Sequence, residues 1–134
     1  MHTRYIKPFT LRSVTGTNAQ NIFNFPVFLA WVQGFNYSST TAAYVKFYNK
    51  TTAPNPASDI PVLVVSLPAG GGTGGIGGVV FSYSNSWSPG IMFDSGLSIL
   101  ITGADSDNDT TPVGGGQIRL NIGYSAGANS NVWV

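Results

Sequence analysis

Glutamate and cysteine are both missing from this 134-residue chain, and charge of either sign is scarce. Six Lys or Arg and five Asp make up 8% of the residues. An ordinary soluble domain carries about a quarter of its residues as charge. Without cysteine there is no disulfide, no thiol nucleophile and no zinc–thiolate site. The single histidine, His2, stands in a weakly patterned terminus, so the chain offers no held imidazole for proton transfer or metal ligation. Asp59 and Asp94 fall in or beside turns with no visible reason to converge as a carboxylate pair. Neither an acid nor a base can be named, so no enzyme and no cofactor are expected.

The net charge is +1, and the cations are scattered from Arg4 to Arg119. No basic stripe exists to neutralise a run of phosphates, so no nucleic-acid partner is expected. No apolar run approaches the roughly 18 residues of a membrane span. The opening Met-His-Thr-Arg-Tyr-Ile-Lys-Pro lacks the apolar stretch of an export signal, which points to synthesis in a cytoplasm.

Strand signals dominate what is there. Gln117–Tyr124 alternates polar and apolar, placing Ile118, Leu120, Ile122 and Tyr124 on one face. Leu97, Ile99 and Ile101 do the same in Gly96–Gly103. Ala43–Lys50 puts Val45 and Phe47 on one face and Tyr44, Lys46 and Tyr48 on the other. Ile60–Leu67 is apolar and β-branched, and reads as a central strand. Pro26–Ser38, Tyr5–Arg12, Val79–Tyr83 and Ile91–Phe93 complete the set. Turn clusters rich in Gly, Pro, Asn and Ser separate these runs, and 17 Gly with 8 Pro oppose sustained helix. About eight short strands so spaced predict an all-β fold, an antiparallel β-sandwich of jelly-roll type. One domain spans 1–134, with extended arms expected at 1–25 and 125–134, where patterning is weak.

Three features invite a functional reading. Gly72, Gly74 and Gly77 have the G-x-G-x-x-G spacing, but the strand-like Val79–Tyr83 follows where a nucleotide-binding turn needs a helix. The segment is therefore expected to be a loop between strands. Asp105, Asp107 and Asp109 alternate like the start of a calcium loop, yet Gly116 stands where the closing bidentate Glu belongs. They form an incomplete calcium candidate, whose mutual repulsion a cation or open solvent must relieve. Among the aromatics, Trp31 lies in an apolar strand and is expected in the core. Trp87 in a loop and Trp133 near the end are interface candidates, because aromatics are enriched where subunits meet. A sugar-stacking platform built on Trp87 and nearby Tyr is the competing use.

The run Ala43-Tyr44-Val45-Lys46-Phe47-Tyr48-Asn49-Lys50, with Ala53-Pro54 and Asp59-Ile60-Pro61-Val62, resembles small structural proteins of tailed bacteriophages. Gly90–Phe93, Gly96–Gly103, Asp105–Thr111 and Gln117–Asn121 continue the resemblance. It implies a capsid decoration (cement) protein with a sandwich core, bound outside the shell and bridging capsomers. The implied partners are the major capsid protein and further copies of the chain, as a dimer or trimer, and the implied location is the virion exterior. Head-fibre, neck and tail-associated proteins use similar sandwiches and are the alternative, with a carbohydrate-binding module behind them. The resemblance carries fold and not chemistry, so it transfers no functional residue. The loop Gly70–Ser88 departs from the pattern by its length and its Gly and aromatic content.

Overall fold

The computed structural model describes residues 6–70 and 90–126, and the backbone of residues 76–82. Nine strands are found among them: β1 Lys7–Arg12, β2 Gln20–Phe23, β3 Val27–Asn36, β4 Ala43–Asn49, β5 Leu63–Leu67, β6 Ile76–Ser82, β7 Ile91–Phe93, β8 Leu97–Thr102 and β9 Ile118–Ala126. They form two antiparallel sheets, one ordered β1-β9-β3-β6 with β7 also on β3, the other β2-β8-β4-β5. The pairs β1–β9, β2–β8, β3–β6 and β4–β5 nest inside one another. That nesting is one long two-stranded ribbon rolled onto itself, which is a jelly roll. The eighth strand of the roll is broken in two: β7 pairs with Val27–Leu29 and β6 with Trp31–Asn36.

Alternation builds the core as expected. Val27, Leu29 and Val32 of β3 and Ile118, Leu120 and Ile122 of β9 meet Val45 and Phe47 of β4 and Leu97, Ile99 and Ile101 of β8 between the sheets. Phe9 and Leu11 of β1 and Phe23 of β2 pack against the rim of this cluster.

Three expectations need correction. The stretch 7–23 is not an arm: β1 pairs with β9 over its full length, and β2 pairs with β8, while 1–5 lie outside the described residues. Short strands with mixed faces look unpatterned in sequence but still complete a sheet. At the other end, Ser125 and Ala126 belong to β9, and 127–134 lie outside the described residues. The Ile60–Leu67 run is not central, since β5 starts at Leu63 and forms a sheet edge, leaving Ile60 and Val62 in the preceding loop. Trp31 is not in the core either. A register shift between Leu29 and Trp31 adds Ala30 to the strand and turns the indole to the outer face, against β9.

Candidate interaction surface

One end of the roll gathers the loop 13–19, the loop 37–42, the segment following β5 and the residues just before β9. Asn36 ties them together. It ends β3 on the core-facing side, fully buried, where an apolar residue would continue the alternation. Its amide Nδ2 donates to the carbonyl oxygens of Thr41 and Leu67, both at 2.9 Å, while its Oδ1 accepts from Ser38 N at 3.0 Å. Gln117 extends the hub, with Nε2 3.2 Å from Thr41 Oγ1 and Oε1 accepting from Gly114 N at 2.8 Å. Ser13 Oγ donates to Gly114 O at 2.8 Å, and Gly16 and Val113 bridge the two loops. Asn18, at φ 55°, closes its own turn by accepting from Val14 N at 2.9 Å. A buried amide that satisfies several loop carbonyls makes loop geometry a property of the core.

The loops of this end carry no residue charged at neutral pH. Residues 13–18, 36–42, 68–70 and 113–117 contain no Asp, Glu, Lys, Arg or His. What they show to solvent is hydroxyl, amide and backbone, with Pro68 and two larger apolar points: Val14 is 66% exposed and Tyr37 46% exposed. The Tyr37 ring stacks on Phe35, with centroids 6.3 Å apart and planes 19° apart, so one face is already fixed.

The loop after β4 leaves from the opposite end and is pinned by charge. Lys50 Nζ contacts Asp59 Oδ2 at 2.5 Å, and the same oxygen accepts from Asn55 N at 2.7 Å. The Asn55 amide, then Lys50, hold the Asp59 carboxyl below the usual carboxylate range. Beside this clamp Ile60 is 78% exposed and Val62 52% exposed.

The acidic loop folds back over the outer face of the second sheet. Beneath it Lys46 is fully buried, and its Nζ donates to Ser106 O at 2.5 Å. Burial pushes the Asp109 carboxyl up, but hydrogen bonds from Thr111 Oγ1, Thr111 N and Ala104 N, together with the Lys46 charge, hold it below the usual range. The charge drawn to this loop is thus the chain's own lysine, where sequence reading named an external cation or solvent. Asp105, Asp107 and Asp109 do not converge, and no acidic or histidine cluster among the described residues is arranged to hold a metal ion. Next to Lys46, the Tyr48 phenol is buried without a hydrogen-bond partner. Burial and the charges of Asp107 and Asp59 raise its pKa above the ordinary value.

Of the expected contact residues, Trp87 and Trp133 lie outside the described residues, as do Gly72 and Gly74. Gly77 sits in β6, paired with Phe35, so a strand occupies the place a nucleotide-binding helix needs. The Asn36–Gln117 hub was missed in sequence. Its one signal there was a polar residue on the face shared by Val32 and Gly34. No helix among the described residues is long and apolar enough to cross a membrane. No protein-family model matches the chain, and no curated protein matches it.

Proposed function

We propose that the chain is a virion structural protein, a capsid decoration protein that binds the outer shell and bridges capsomers. The observation that carries this reading is the charge-free loop end, held in one geometry by Asn36 and Gln117. A cement protein works by many shallow contacts repeated over a symmetric surface, where avidity replaces single-site strength. Pre-ordered neutral loops suit that role, because binding orders little chain and strips no charge of water. Bridging also needs a second contact. Val14 and Tyr37 stand at one end of the roll, and Ile60 and Val62 follow the loop that leaves from the other.

Five of the charges serve the fold. Lys50 and Asp59 close the β4–β5 loop, Lys46 and Asp109 the acidic loop, and Asp94 takes a hydrogen bond of 2.6 Å from Asn49. The jelly roll itself hosts capsid and lectin functions alike, so the surface and not the fold supports this reading.

The test is add-back. Particles stripped of this protein are heated with and without the purified chain, and release of the packaged genome is followed by dye fluorescence. The expected result is saturable binding in hundreds of copies per particle and a higher release temperature. Unchanged heat stability after saturation would remove the cementing role, and tens of copies would favour a neck or tail position.

A further inference from the structure

Arg12 and Arg119 are direct cross-strand partners at the end of the β1–β9 pair. Both point outward. One row along, Thr10 Oγ1, Asn121 and Gln33 are joined by side-chain hydrogen bonds of 2.8 and 3.3 Å across β1, β9 and β3. Like charges set directly opposite one another destabilise a sheet, so the pair is costly where it stands. Among the described residues no carboxylate forms an ion pair with either arginine. β1, β3 and β9 contain no acidic residue, and the ion pair found among the described residues is Lys50–Asp59. Arg119 Nε is shielded from solvent and has no hydrogen-bond partner.

The complementary set lies on the opposite outer face. Asp105 and Asp107 are exposed at the tip of the loop that covers the second sheet, and neither carboxylate is in a salt bridge among the described residues. Two carboxylates on one face and two guanidiniums on the other match in sign and number, and a guanidinium takes a carboxylate through two parallel hydrogen bonds.

We propose that a second copy of this chain docks on the Arg12–Arg119 face with its Asp105–Asp107 loop. Such a contact is head to tail: each copy offers one donor face and one acceptor loop. It closes into a ring when the rotation between copies allows it. The Arg12–Arg119 pair adjoins the neutral loop end, where Ser13 N donates to Ile118 O, so the contact uses the sheet face beside that end.

Analytical ultracentrifugation of the full chain tests this by charge reversal. The wild type is expected to self-associate at about 50 mM salt and to weaken at least about tenfold near 500 mM, as screening shortens the reach of charge. Arg12→Asp with Arg119→Asp is expected to weaken association by at least about tenfold, and so is Asp105→Arg with Asp107→Arg; combining all four substitutions restores it. The neutral pairs Arg12→Gln with Arg119→Gln and Asp105→Asn with Asp107→Asn replace any reversal that fails to fold, and weakening is expected in each. Wild type that stays monomeric at every salt concentration overturns the proposal. So does association indifferent to either reversal, or a four-substitution chain that folds without recovering it.

Discussion

The indole of Trp31 lies across the backbone of Gly123, so close that a β-carbon at position 123 would sit 2.1 Å from Nε1. Trp31 and Gly123 are register partners on β3 and β9, the most extensively paired strands of the first sheet. The glycine makes room for the indole on an outer face that a side chain would otherwise fill. Gly123→Ala is therefore expected to cost about 1–3 kcal/mol, the usual range for overpacking. A urea midpoint equal to that of the wild type would show that the indole moves aside freely.

Asn36 is the second position where one substitution reaches far. Asn36→Leu keeps the volume but removes the donor to the Leu67 carbonyl and the acceptor of Ser38 N, and leaves the Thr41 carbonyl only the 3.4 Å contact from Gln117 Nε2. Each unsatisfied buried group costs about 1–3 kcal/mol, so a loss of at least about 2 kcal/mol is expected. Amide hydrogen exchange should locate the damage, with faster exchange at Ser38 and Gly70 than in β8. A loss spread evenly over the core would argue against the hub.

Acid should weaken the fold through two named carboxylates. Asp59 and Asp109 are held below their ordinary range in the folded chain. A depressed folded pKa stabilises the fold above the unfolded value of about 3.9 and loses that contribution as pH falls through the folded value. Chemical unfolding from pH 7 to pH 2 should thus show a decline setting in near pH 5 and steepening below about pH 4. Asp59→Asn combined with Asp109→Asn should flatten it. A double variant with the full wild-type decline would place the acid sensitivity elsewhere.

Calcium should leave the chain indifferent. With Lys46 beneath the loop and Asp109 committed to Thr111 and Ala104, the loop presents no converging ligand set. Millimolar calcium or a chelator is expected to move the melting temperature by less than about 1 °C, whereas binding a hundredfold above its dissociation constant would add about 2.7 kcal/mol. A rise of several degrees would restore the cation site.

Periodicity revealed much of this fold and little of its surface. The faces of β4, β8 and β9 followed from strict alternation, because residues two apart must share a side. What alternation does not encode is which strand lies beside which. Ile60–Leu67 therefore read as central although β5 is an edge, and β2 went unread inside an expected arm although it completes a sheet. The shift at Leu29–Trp31 is equally silent, since one inserted residue changes the face of everything beyond it. Tyr44, Lys46 and Tyr48 were correctly grouped on one face, but an outward lysine gives no sign that a loop sixty residues on will bury it. The charge-free end was legible residue by residue in its separate loops. Only the topology brings those loops together.

The most direct measurement for the central claim is a reconstruction of the intact particle at a resolution that traces this chain. The account predicts it on the outer shell, repeated over the capsid symmetry, with the loop end built from 13–18, 36–42, 68–70 and 113–117 seated on capsid protein. A chain confined to the neck, tail or fibre, or one whose loop end faces solvent while another surface meets the shell, would contradict it.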